Sequence, residues 1–228
     1  MAFSSWFRDL SFFRKTAVIL GTGALVAGAT YRVFEIQRRR NLSSGGIDME
    51  SINNDEGGVE EGEKRILVLG LDGAGKSTLL GCLNSLQPPD DTKPTEGFNV
   101  MCVQTDTNTL NIWEVGGTEN VRSYWSNFIE GTQVLVFVVD ASDKNRLGEA
   151  KTELDKLVAD NRLKNVPLIL VANKQDKEGA LSVNDLQTKL EVGPENRAIY
   201  LIETQVPVGG EIKGVSRVKE LMETLPTM

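Results

Sequence analysis

Gly70-Leu71-Asp72-Gly73-Ala74-Gly75-Lys76-Ser77 fits the pattern G-x-x-x-x-G-K-[ST]. Immediately before it stands Ile66-Leu67-Val68-Leu69, an apolar run of buried-strand length. Immediately after it, Thr78-Leu79-Leu80-Gly81-Cys82-Leu83 carries apolar residues at helical spacing. Strand, glycine-rich loop and helix together form a context for binding phosphate. Glycines let consecutive backbone N–H groups curl around a polyphosphate, and the helix N-terminus adds a favourable dipole. Lys76 then reaches the β- and γ-phosphates and the Ser77 hydroxyl binds Mg²⁺. A plain glycine-rich turn between strand and helix is the competing reading, and it gives Lys76 and Ser77 no purpose.

Composition narrows the rest. The 228 residues suffice for one domain plus an appendage, and 40% hydrophobic content supports a real core. The net charge of −7 argues against general nucleic-acid binding. The chain has no histidine, which removes histidine catalysis and histidine metal sites. The two cysteines, Cys82 and Cys102, read as buried thiols in a reducing compartment.

Charge divides the first quarter of the chain. Residues 1–40 carry seven Lys and Arg against Asp9 and Glu35, whereas residues 41–63 carry seven acids and no base. Thr16 to Tyr31 is uncharged; if Arg32 snorkels, Val33 and Phe34 extend the run to a workable membrane span over 16–34. Three readings compete: a transmembrane anchor, a secretory signal with Ala27-Gly28-Ala29 as its cleavage site, and a mitochondrial presequence. A phosphate loop needs cytosolic nucleotide and Mg²⁺, and Arg38-Arg39-Arg40 favours a cytosolic following segment, so an uncleaved anchor is expected. Its Gly- and Ala-rich run with bases at both ends favours the outer mitochondrial membrane over the endoplasmic reticulum. Residues 41–63 are polar and acidic, and read as a disordered linker that buries too little surface to order.

From residue 64 onward, strand and helix patterns alternate, which predicts a mainly parallel sheet covered on both faces. Strands are expected over 98–104, 109–115, 134–139, 168–172 and 198–202, and helices over 146–159, 181–190 and 215–225. Three further motifs fall at strand ends: Pro94-Thr95-Glu96-Gly97-Phe98-Asn99, Trp113-Glu114-Val115-Gly116-Gly117 and Asn173-Lys174-Gln175-Asp176. Ligands bind at such ends. The Asp176 carboxylate can accept from both N1–H and the exocyclic amine of guanine, a donor pair that adenine lacks.

Those motifs, in that order and spacing, make residues 64–228 resemble the Arf-like small GTPases. The resemblance implies the P-loop small GTPase fold, an α/β arrangement with a mostly parallel six-stranded sheet and helices on both faces. It also implies GTP/GDP and Mg²⁺ as cofactors. Carried over position by position, Gly70, Asp72, Gly73, Ala74, Gly75, Lys76, Ser77 and Thr78 hold the phosphates. Ser77 ligates the metal, Thr95 completes its shell in the GTP state only, and Glu114 reaches it through water. The Gly117 amide senses the γ-phosphate, while Asn173, Lys174, Asp176 and the Val206 backbone hold the base. The loops 87–97 and 116–127 are the switches. An exposed aromatic trio, Phe98, Trp113 and Phe128, is expected to receive effectors, although all three could instead be core residues.

Three departures from the family pattern matter. Residue 2 is Ala, so the N-terminal glycine used for myristoylation is absent. Gln205-Val206-Pro207 replaces the usual base-contacting motif, and Thr118 replaces the glutamine that orients the attacking water. Lys76 and Thr118 are the candidate catalytic residues, and hydrolysis is expected to be slow. The expected function is a membrane-anchored GTP-binding switch whose effector, exchange-factor and activating proteins the sequence does not name. Alternatives are a nucleotide-bound scaffold that hardly cycles, and a GTPase like the β subunit of the signal-recognition-particle receptor.

Overall fold

The computed structural model describes residues 62–85, 94–105, 108–193 and 197–226. The expected anchor over 16–34 and nearly all of the expected linker lie outside those residues. Glu63, counted with the linker, is the first residue of β1 (Glu63–Leu69). Among the described residues no helix is long and apolar enough to cross a membrane.

Six strands form one sheet: β1, β2 (Phe98–Gln104), β3 (Thr109–Val115), β4 (Val134–Asp140), β5 (Leu168–Asn173) and β6 (Ile199–Glu203). Their order across the sheet is β2-β3-β1-β4-β5-β6. Only β2 is antiparallel, paired with β3 so that Phe98 faces Val115 and Asn99 faces Glu114. The other neighbours run parallel. The strands expected over 98–104, 109–115, 134–139, 168–172 and 198–202 are present within one residue of those bounds, while β1 begins three residues before the apolar run over 66–69.

The central strands are apolar throughout because both faces are covered, as parallel sheets require. Their alternation divides the core. Leu67, Leu69, Leu135, Phe137, Leu168 and Leu170 pack on one face beside α3 (Leu147–Val158) and α4 (Val183–Leu190). Ile66, Val68, Val136, Val138, Ile169 and Val171 pack on the other, beside α1 (Lys76–Ser85) and α5 (Val215–Thr224). A four-residue helix, α2 (Glu119–Arg122), and a 3-10 turn over Trp125–Phe128 fill the stretch between β3 and β4. Neither was expected from periodicity, because both are too short to show one.

Two local features fix the closing helices. Ser182 caps α4 by accepting from the Asp185 backbone N–H at 3.2 Å and donating to its carboxylate at 2.7 Å. The buried Lys64 ammonium donates at 2.6 Å to the carbonyls of Glu223 and Leu225, so β1 satisfies the end of α5. Burial pulls the Lys64 pKa below the usual lysine value, with Glu223 opposing. Of the two cysteines expected to be buried, Cys82 is buried and Cys102 is exposed. The reason is position: Cys102 sits toward the end of the edge strand β2, where it and Gln104 are exposed while Phe98 and Val103 of the same strand are buried.

Candidate functional site

The phosphate loop runs from the end of β1 to the start of α1, as the sequence predicts. Gly70 has φ 146° and its Cα hydrogens face the Val138 carbonyl, where a Cβ would stand 2.1 Å from the oxygen. Only glycine fits there. Gly75, at φ 89°, leaves 2.4 Å between an added Cβ and the Asn173 amide nitrogen. The loop is therefore wedged between β4 and the Asn173 motif, with no side chains of its own in the way.

The Lys76 ammonium donates to the Gly70 carbonyl at 2.7 Å and the Leu71 carbonyl at 3.0 Å. Burial lowers its pKa to about 8, and the nearby carboxylates of Glu114 and Asp72 oppose that shift. A buried cation so poorly solvated gains from any anion placed over the loop. A cleft of about 300 Å³ lies there, lined by residues that include Gly73, Lys76, Ser77, Thr95, Gly117 and Thr118. Asp72 and Thr78 line it as well.

Ser77, Thr95 and Glu114 meet at one edge of this cleft. The Ser77 hydroxyl donates to Glu114 Oε1 at 2.5 Å and lies 3.2 Å from the Thr95 hydroxyl, which donates to the same carboxylate oxygen at 3.3 Å. Asn99, opposite Glu114 across the β2–β3 pair, donates to Oε2 at 3.0 Å. Three hard oxygen donors beside a phosphate-binding loop suit Mg²⁺. The residues present fit that cation. Bound there, it would neutralise charge on a polyphosphate; Ser77 and Thr95 would hold it.

Asn173 joins the base motif to the loop. Its side chain is buried, donating to the Ala74 carbonyl at 2.8 Å and accepting from the Thr204 hydroxyl at 2.9 Å. The Gln175 backbone N–H donates to the Thr204 carbonyl at 3.1 Å, which ties in the segment containing Val206. Lys174 takes a left-handed backbone (φ 65°) and pairs with Asp140 at 2.6 Å. Hydrogen bonds from Lys174 and Ser142 hold the Asp140 carboxyl below the usual range against the opposing effect of burial. Asp176 is exposed, and it is not among the residues that line the cleft. Asn173→Ala removes two buried hydrogen bonds and leaves the Thr204 hydroxyl unpaired, costing about 2–3 kcal/mol. Urea unfolding at fixed, saturating GDP measures it; an unchanged midpoint would mean other contacts hold the two loops together.

A second network lies behind Gly117. Arg122, at the end of α2, donates to the Gly117 carbonyl at 2.9 Å and to Glu149 at 2.6 Å, and its Nε lies 3.7 Å from Glu153. Arg146 donates to the Asp72 carboxylate at 2.7 Å, the Asp72 carbonyl at 3.0 Å and Glu149 at 2.8 Å. Asp72 thus lines the cleft while its carboxylate serves the arginines; the Arg146 hydrogen bond foremost lowers its pKa. Apart from the i,i+3 pair Arg146–Glu149, none of this pairing, and nothing about Thr204 or Asp140, has a recognisable spacing in the sequence, because the other charged partners are distant along the chain.

The aromatic trio is brought together but not exposed. Phe98, Trp113 and Phe128 are 6%, 6% and 8% accessible, with ring centroids 5.2–6.3 Å apart. The Arg65 guanidinium covers the Trp113 ring at 4.3 Å. The expectation of an exposed trio is corrected in favour of the alternative left open, that all three are core residues: the rings pack on one another and on the core cluster. The exposed aromatic of this region is Tyr124, at 51%, which the sequence reading passed over.

Comparison with known proteins agrees with this geometry. The description of the ADP-ribosylation factor family matches residues 50–224. ADP-ribosylation factor-like protein 2 of Drosophila melanogaster is 42% identical over 152 residues, 67% of this chain and 82% of that protein. ADP-ribosylation factor-like protein 10 of Mus musculus is 40% identical over 159 residues, 68% of this chain and 65% of that protein. Among solved structures, the Arl6 (BBS3) small GTPase of Trypanosoma brucei with bound GppNp covers 71% of this chain at a TM-score of 0.61 and 23% identity, a likeness of fold. With the phosphate loop, Thr95, Glu114, Gly117 and Lys174 lining one cleft, and with the family's description matching residues 50–224, this chain belongs to the ADP-ribosylation factor family.

Proposed function

We propose that the protein is a membrane-anchored GTP-binding switch that hydrolyses GTP slowly and recruits partners through the surface around its 116–127 loop. The observation that carries the reading is the contact between the two loops that a γ-phosphate governs. Gly117 lies so close to the phosphate loop that an added Cβ would stand 2.3 Å from the Asp72 nitrogen and the Gly70 carbonyl. A group inserted between or withdrawn from these loops must move Gly117. Trp125 donates to the adjacent Gly116 carbonyl at 2.9 Å, so that movement reaches a buried indole. Tyr124, one residue before it, is the side chain best placed to show the change to a partner.

Anchoring rests on the uncharged run over 16–31, extended to 34 past a snorkelling Arg32, between basic clusters. A permanently spanning helix would leave nucleotide to switch partner choice rather than location. The outer mitochondrial membrane fits the composition of that run better than the endoplasmic reticulum. The full-length protein, exchanged between GDP and GppNp, should change its tryptophan fluorescence and should stay in membranes washed with alkaline carbonate. Identical fluorescence in both states would favour the scaffold that hardly cycles. Release into the wash would remove the anchor.

A further inference from the structure

We infer that Arg122 is a positioning residue for the third phosphate, holding the Gly117–Thr118 peptide in the orientation that receives it, and that Glu149 and Glu153 of α3 hold Arg122. This inference rests on the GTP-switch reading and adds to it three residues that do not line the cleft. The Arg122 Nη1 donates to the Gly117 carbonyl at 2.9 Å. In a trans peptide the N–H points opposite to the C=O. The grip on that carbonyl therefore aims the Thr118 N–H away from Arg122, toward the cleft that Thr118 lines. A carbonyl bonded to a guanidinium is also polarised, which makes the N–H of the same peptide a stronger donor. The Arg122 backbone N–H donates to the next carbonyl, that of Thr118, at 2.9 Å. One residue thus fixes two successive peptides beside the phosphate loop.

What holds Arg122 in place is α3. Glu149 and Glu153 stand four residues apart on that helix and so share a face. Nη2 donates to Glu149 at 2.6 Å, and Nε lies 3.7 Å from Glu153. The Arg122 side chain is 7% accessible, and a buried cation is stable only beside opposite charge. Among the described residues Nε has no hydrogen-bond partner, so Glu153 acts on it through charge alone. GTP needs the peptide turned toward its third phosphate, whereas GDP makes no such demand. Loosening Arg122 from α3 therefore weakens GTP more than GDP. By reciprocity, GTP tightens the contact between α2 and α3 by the same factor.

The ratio of GppNp to GDP affinity tests this, because a merely structural residue would lower both together. The full-length protein is titrated with fluorescent forms of the two nucleotides in the presence of Mg²⁺. Arg122→Ala should weaken GppNp at least about tenfold and GDP less than about twofold. Arg122→Lys keeps the charge and a donor but not the fork, and should recover part of the loss. Glu153→Gln leaves the bond to Gly117 in place and should shift the ratio in the same direction by a smaller factor. These two milder variants decide the matter even if the alanine variant does not fold. Equal losses for both nucleotides, or an unchanged ratio, would overturn the positioning role. A wild-type protein that bound neither nucleotide would remove the switch reading and this inference with it.

Discussion

Asp176→Asn is expected to weaken GTP binding by about 10²–10⁴-fold and to turn preference toward xanthosine triphosphate. The estimate follows from two hydrogen bonds to an ionised carboxylate, each contributing ~1.5–3 kcal/mol, or ~3–6 kcal/mol together. The motif's frame should survive the change. Asn173 is held by Ala74 and Thr204, and Gln175 donates to the Leu181 carbonyl at 2.8 Å, so the residues before Asp176 are fixed by contacts that Asp176 does not make. Xanthine keeps N1–H and offers a carbonyl where guanine has its amine, and an asparagine amide complements both. Competition against a fluorescent guanine nucleotide measures the shift. An unchanged affinity for GTP would remove Asp176 from the base site.

How far the site was legible in the sequence depends on whether a role needs a short motif or a fold. Gly70, Gly75, Lys76 and Ser77 were readable because their spacing along one loop is their geometry. Strands β4 and β5 were readable because both faces are buried, which leaves an unbroken apolar run. Thr204 was not readable: its hydroxyl matters only because β6 delivers it to Asn173, 31 residues away. Nor was the direct contact of Glu114 with Ser77, since the sequence gives residue types at positions 77 and 114 but not the distance between them. Phe98, Trp113 and Phe128 show the limit from the other side. Their pattern identifies a cluster, while its exposure depends on how closely the 3-10 turn packs against β2 and β3.

The wild-type protein should hydrolyse GTP unassisted more slowly than Ras, whose intrinsic rate with its glutamine present is on the order of 10⁻⁴ s⁻¹. Thr118 lines the cleft at the right place, directly after Gly117 and before α2, with an extended backbone (φ −68°, ψ 152°). Its carbonyl accepts from the Val121 and Arg122 N–H groups at 2.9 Å, so the backbone is anchored. What it lacks is reach: one hydroxyl on a short stem cannot hold a water where a glutamine amide would. The neighbouring arginines do not make up for it. Arg122 and Arg146 are engaged by Asp72, Glu149 and Glu153, which fixes their charge on the far side of the loop. Thr118→Gln should raise the single-turnover rate at least about tenfold, equivalent to ~1.4 kcal/mol of barrier. A partner that inserts an arginine should add about 10³–10⁵-fold, by the charge neutralisation that phosphoryl transfer depends on. The resting protein should then stay GTP-bound until such a partner arrives. Full-length protein loaded with γ-labelled GTP decides it in one time course. Brisk phosphate release by the wild-type chain alone would mean that a group other than Thr118 orients the water.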